Sequence, residues 1–118
     1  METIDELLVE ATAAAERFWF VRELQIVDRT DNTTTVHFVI GSDLFVQVFL
    51  SQQTGRLNLA LVGPSGRLYG RDRERESWHR HPFENPKTHE ATSVGMSSHP
   101  LMQFMAEVED LLIAHALI

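Results

Sequence analysis

The strongest constraint on the fold is a series of alternating segments joined by very short connections between residues 35 and 70. Such alternation is typical of β-strands with one buried face. The connections at 41–43, 54–55 and 63–66 are rich in glycine and polar turn residues and too short for a crossover, so the strands should pair antiparallel. The sequence predicts a β-meander of four or five strands, the first over residues 21–29. The alternating apolar residues are Val36, Phe38, Ile40, Leu44, Val46, Val48, Leu50, Leu57, Leu59 and Leu61.

Both ends of the chain carry helical patterns. Thr3 and Glu6 have the spacing of a capping box, and apolar residues then recur every three or four positions, which predicts a helix over residues 4–18. A second stripe follows Pro100, whose missing amide hydrogen suits a first helical turn. The predicted fold class is therefore α+β: an N-terminal helix, an antiparallel meander, a long loop and a C-terminal helix, as one domain over residues 1–118.

Composition narrows the class of protein. The chain has 118 residues, a net charge of −7 and no cysteine, which excludes disulfides and thiolate metal sites. The acidic N-terminus differs from a signal peptide and no apolar run is long enough for a membrane span, so we expect a cytoplasmic protein. The net charge argues against broad electrostatic binding of nucleic acid, but the basic side chains gather in residues 67–90.

Residues 70–97 show no period, and the sequence predicts a long loop there whose first part, 70–90, is rich in histidine and arginine. Long connections of this kind in a compact domain are usually functional or disordered. In an extended segment His79 and His81 project to the same side. They could form an acid–base pair, with Arg71 as a clamp for phosphate, as metal-independent cleavage of RNA through the 2′-hydroxyl requires.

Neighbouring residues fit the same hypothesis. The predicted binding residues are two arginines that could contact phosphates, Arg73 and Arg80, and three aromatic residues that could stack on bases, Trp78, Tyr69 and Phe83.

Two other interpretations are open. The histidines can be solvated loop residues, with Trp78 and Phe83 only pinning the loop over the sheet. Alternatively His79, His81 and His89 could hold zinc, although no second ligand motif supports a metal site. No cofactor is predicted otherwise.

The segment 36–90 resembles the TumE-like family of small proteins, which are considered toxins of toxin–antitoxin pairs. The resemblance lies in Arg71-Asp72 at the end of the meander, His79-Arg80-His81 and Pro82-Phe83. The chain departs from the pattern at Arg73 and in the charged residues 74–77. The resemblance implies a helix-turn-helix antitoxin partner and an RNA-directed activity.

The leading hypothesis is therefore a toxin-like protein whose loop 70–90 cleaves or binds RNA. The alternative is a non-enzymatic module that binds a partner or forms a homodimer. Phe45 and Phe49 lie opposite Val46 and Val48 on their strand, so one sheet face remains to be covered by the loop or a second subunit.

Overall fold

The computed structural model describes residues 3–74, 77–84, 90–91 and 99–118. Helix α1 spans Ile4–Arg17 and helix α2 spans Pro100–Ala114. Between them lie strands β1 (Glu23–Arg29), β2 (Thr33–Gly41), β3 (Leu44–Ser51), β4 (Arg56–Gly63), β5 (Gly66–Glu74), β6 (Ser77–His81) and β7 (Glu90–Ala91). These described strands form one antiparallel sheet in chain order, so the predicted α+β class and antiparallel meander are confirmed.

The start of α1 follows the predicted capping box. The Glu6 amide donates to Thr3 Oγ1 at 3.1 Å, and the Thr3 amide donates to Glu6 Oε1 at 3.1 Å. These two bonds satisfy amide groups that have no partner inside the helix. Neither described helix is long and apolar enough to cross a membrane.

Both helices pack on the same face of the sheet. Leu7 and Ala11 of α1 and Phe104 and Met105 of α2 are fully buried in one cluster with the alternating residues of β2, β3 and β4. We call this side the helix face and the opposite side the distal face. The distal-face residues of the central rows are Thr35, His37, Val39, Phe45, Gln47, Phe49, Asn58, Ala60, Val62, Arg67, Gly70, Asp72, His79 and His81. The same face also carries Glu23, Gln25 and Asp28 on β1 and, toward the strand ends, Thr33, Ser51, Arg56, Glu74 and Ser77.

The strand count and the loop were predicted incorrectly. Among the described residues the sheet has seven strands rather than four or five, because β5 continues to Glu74 and returns as β6 over Ser77–His81, and β7 over Glu90–Ala91 pairs with β6. The hairpin was missed because polar residues occupy both of its faces, so it shows no alternation of apolar and polar residues. On the helix face of this hairpin, the largely buried side chain of Arg71 pairs with Glu107 of α2.

Candidate functional site on the distal sheet face

The structure separates the residues that the sequence grouped together. His79 and His81 lie on the distal face, opposite Asp72 and Gly70 of β5. Arg71 pairs with Leu59 in register and therefore points to the helix face. Neighbouring residues of a strand project to opposite faces. The predicted grouping of Arg71 with the two histidines is therefore not formed, and Arg71 cannot clamp a phosphate that both imidazoles contact.

Arg71 instead forms a link between the sheet and α2. Its Nε and Nη2 donate to the two carboxylate oxygens of Glu107 at 3.0 and 2.8 Å, and Tyr69 Oη donates to the same carboxylate at 2.7 Å. Burial and the Glu107 contact raise the pKa of Tyr69 to about 12. Burial alone would lower the pKa of Arg71, but the Glu107 carboxylate raises it overall, so Arg71 remains charged.

The predicted base-binding residues also lie away from the histidines. Tyr69 is 6% exposed and its ring stacks on Phe104 at 5.6 Å, so it has no surface for a nucleobase. The Arg73 guanidinium lies over the Trp78 ring at 5.5 Å, while Phe83 stacks on His115 at 3.9 Å.

These side chains therefore hold the β5–β6 hairpin against the core and α2. Arg80, which pairs with Arg71 on the helix face, lines a cavity of about 270 Å³ together with Tyr69, Phe83 and Glu107.

A different polar cluster forms around Asp72 on the distal face. Asp72 Oδ2 receives a hydrogen bond from Arg67 Nη1 at 3.3 Å and contacts His81 Nε2 at 3.0 Å. Asp72 and His81 are largely buried, with side-chain exposures of 17% and 15%, whereas Arg67 is 33% exposed. His79 is the direct cross-strand partner of Asp72, which places their Cβ atoms about 5 Å apart. We call Arg67, Asp72, His79 and His81 the Asp72 cluster.

A β-bulge makes this cluster possible. Arg67 and Asp72 are five positions apart, and in a regular strand an odd spacing puts side chains on opposite faces. The register shifts between Leu61 and Val62, which leaves one extra residue in β5 between Arg67 and Tyr69 and brings Arg67 onto the distal face.

The Asp72 cluster also depends on the absence of a side chain at Gly70. A Cβ added there would lie 3.3 Å from Arg67 Cδ and 3.1 Å from a backbone oxygen of β4. A side chain at position 70 would therefore crowd Arg67 where it crosses the strand to reach Asp72.

Only one of the two carboxylate oxygens of Asp72 has a hydrogen-bond partner among the described residues. Asp72 Oδ1 is buried and accepts no hydrogen bond from the described part of the chain, and neither does Asn58 Oδ1 on the neighbouring strand. A carboxylate removed from water in this way needs a cationic partner. Arg67 provides that partner at the other oxygen, and the contact with His81 holds the imidazole in a defined orientation beside the guanidinium.

A second polar pair lies on the same face. His37 Nε2 hydrogen-bonds Gln47 Oε1 at 2.9 Å, and the His37 ring stacks on Phe45 at 4.4 Å. A carboxamide oxygen can only accept, so His37 donates and the amide nitrogen of Gln47 keeps its donors for other partners. His37 is half-buried and holds Gln47 in place.

The zinc alternative can be compared with the structure only at the described residues. Among residues 3–74, 77–84 and 99–118, no three histidine or carboxylate side chains are grouped to hold a metal ion. His89, the third ligand of the zinc alternative, lies outside the described residues.

Sequence reasoning missed Arg67 and Gln47 and treated Asp72 only as part of a motif. A glycine inside a strand, at position 70, was the one local signal for a close approach in this region. Comparisons of the chain with protein-family models, with curated proteins and with solved structures gave no match.

Proposed function

We propose that the protein is an RNA-directed, metal-independent ribonuclease whose reaction centre is the Asp72 cluster. The observation that carries the proposal is the contact of Asp72 with both His81 and Arg67, beside His79, on the sheet face opposite the helices. Two imidazoles, an orienting carboxylate and a guanidinium are the groups that cleavage through the 2′-hydroxyl needs.

Each residue has a distinct role in this proposal. His81 takes the proton of the 2′-hydroxyl, and Asp72 keeps its ring in position and stabilises the imidazolium that forms, as carboxylates do for catalytic histidines. The 2′-oxygen then bonds to phosphorus and the bond from phosphorus to the 5′-oxygen breaks. His79 gives its proton to that oxygen, and Arg67 stabilises the charge on the phosphoryl oxygens. The products are a 2′,3′-cyclic phosphate and a free 5′-hydroxyl.

Arg67 replaces Arg71 as the cation of this proposal. Arg71 is committed to Glu107 on the other face, with only 14% of its side chain exposed. Arg67 is the arginine of the Asp72 cluster and is more exposed, which suits contact with a phosphate.

The test is degradation of single-stranded RNA by the purified full chain, with and without EDTA. We expect cleavage that EDTA does not reduce, 2′,3′-cyclic phosphate ends, and no cleavage where the 2′-hydroxyl is replaced by hydrogen. His79→Ala and His81→Ala should each lower the rate by at least about a hundredfold, the usual contribution of a general acid or base.

The matched control is His99→Ala. His99 occupies the N-cap position of α2, but its side chain is 74% exposed and makes no capping hydrogen bond. Its loss should therefore leave the cleavage rate unchanged. Absence of cleavage, or cleavage that survives both cluster substitutions, would contradict the proposal.

The predicted helix-turn-helix antitoxin belongs to this proposal as the expected partner, since the resemblance to the TumE-like family implies it. Co-expression with a small helix-turn-helix protein encoded next to this chain should suppress the RNA cleavage.

The second candidate is a non-enzymatic module that forms a homodimer or binds a protein. Half-buried apolar side chains on the distal face favour it: Val39, Phe45, Phe49 and Val62. Sedimentation equilibrium at micromolar concentration tests the dimer, and a monomeric mass would contradict it.

A further inference from the structure

Strand β3 presents an aromatic–amide–aromatic strip on the distal face. Phe45, Gln47 and Phe49 alternate with the buried residues of β3, so they point the same way. The His37 ring stacks on Phe45 at 4.4 Å and so covers one face of that ring. Successive members of the strip are separated by about 7 Å, twice the rise per residue of a strand. Gln47 is held by His37, and its amide nitrogen keeps donors for a ligand.

No carboxylate lies beside the strip on the neighbouring strands β2 and β4, although the protein is acidic. The chain contains 17 acidic residues, yet none occupies a distal-face position of β2, β3 or β4. On β5, Asp72 contacts Arg67 and His81, and Glu74 lies 3.8 Å from Arg56 of β4. On the far side of β2, Glu23 and Asp28 of β1 pair with Val39 and Thr35 on the same face. A polyanion that extends from the Asp72 cluster across β4 to the strip therefore passes no further carboxylate on that path.

The register connects the strip to the Asp72 cluster. Gln47, Ala60, Gly70 and His81 form one continuous row across four strands, and Phe49, Asn58, Asp72 and His79 form the next. Three strand spacings separate β3 from β6, or about 14 Å. An RNA strand with its phosphate at the cluster would need only a few nucleotides to reach the strip.

We infer that the strip binds unpaired nucleobases, so that the substrate class is single-stranded rather than double-stranded RNA; this inference rests on the proposed function. Sheets recognise single strands when bases stack on alternating aromatic side chains, and stacking tolerates any base. The bases of an A-form duplex are stacked on one another and cannot lie on the rings. Gln47 donates to a carbonyl oxygen of a stacked base, and His37 acts as its positioning residue.

The experiment measures binding of a short 2′-O-methyl RNA, which cannot be cleaved, to the full chain by fluorescence anisotropy. The strand is used alone and annealed to its complement. We expect the single strand to bind at least about tenfold more tightly than the duplex. The double variant Phe45→Leu/Phe49→Leu keeps the apolar bulk but removes the rings, and it should weaken single-strand binding by at least about fivefold, the lower end of base stacking.

The control variant is Ile26→Ala, which removes an exposed apolar side chain of β1, 57% exposed, outside the strip. It should bind both RNAs as the original protein does.

Equal binding of single strand and duplex, or binding that the double variant leaves unchanged, would overturn the inference that the strip binds unpaired nucleobases. The proposed function would still stand if unmodified RNA were cleaved in a manner dependent on His79 and His81. If the double variant changes the sedimenting mass and not RNA binding, the strip is a protein interface and the inference is wrong. Failure to bind or cleave any RNA would overturn both proposals.

Discussion

The contact between Tyr69 and Glu107 makes a sharp prediction because Tyr69 is the only tyrosine in the chain. Burial of the phenol and its hydrogen bond to the Glu107 carboxylate raise the pKa of Tyr69 from 10.0 to about 12, although Arg71 works in the opposite direction. Ionising Tyr69 would place a second negative charge against Glu107, 2.7 Å away. The folded protein should therefore hold this proton more tightly than the unfolded chain does.

The size of the effect follows from the two pKa values. At about 1.4 kcal/mol for each pKa unit, the change from 10.0 to about 12 corresponds to about 3 kcal/mol. The folded pKa is raised, so this stability is fully present below pH 10 and is lost as the pH rises from 10 to 12. Tyr69→Phe has no phenol to ionise, and its stability should lack this contribution to the alkaline loss.

The assay is an absorbance titration of tyrosinate in the folded protein, with circular dichroism to confirm that it stays folded. Glu107→Gln removes the charge and keeps the shape, so the midpoint should move down toward 10.0. The matched control is Glu109→Gln on the same helix, whose partner is Trp19 Nε1 at 2.8 Å and which should leave the midpoint unchanged. A midpoint at the ordinary value in the folded protein, or one that Glu107→Gln does not move, would refute this account.

Three further predictions concern stability, measured by urea unfolding. Thr3→Ala removes the capping hydroxyl and should lower the free energy of unfolding by about 1 kcal/mol; no change would mean that the capping box of Thr3 and Glu6 is not formed in solution. Phe104→Ala leaves a cavity under a fully buried ring and should cost about 3–5 kcal/mol, so a loss below about 1 kcal/mol would contradict the packing. Gly70→Ala should cost about 1–3 kcal/mol and displace Arg67, because Arg67 Cδ and Nη1 lie 3.3 Å from the new Cβ and a backbone oxygen of β4 lies 3.1 Å from it. At Gly55, by contrast, no atom lies within 4 Å, so alanine should cost only the strain of a positive φ of 75°, about 1 kcal/mol; a smaller loss at Gly70 than at Gly55 would argue against the Arg67 crossing.

The β5–β6 hairpin shows why the candidate site was only half predictable. The sequence indicated that two histidines with one residue between them would share a face if the segment were extended, and β6 has that geometry. It did not indicate which cation would join them. Arg71 is nearer in sequence to the histidines than Arg67 is. The sheet face on which a side chain lies, rather than its distance along the chain, decides which side chains meet.

Local pattern determined the helices and the central strands. A capping box and a 3.6-residue apolar period specify α1, and strict alternation with short turns specifies β2, β3 and β4, because burial on one side imposes those periods on any sequence. The partners of Asp72 and Glu107 were decided by the tertiary structure. A single extra residue in β5 reverses the face of Arg67, and Glu107 meets Arg71 only once α2 packs back onto the sheet across 36 positions of chain. Neither event leaves a period in the sequence, since each depends on the register between elements rather than on the order of residues within one.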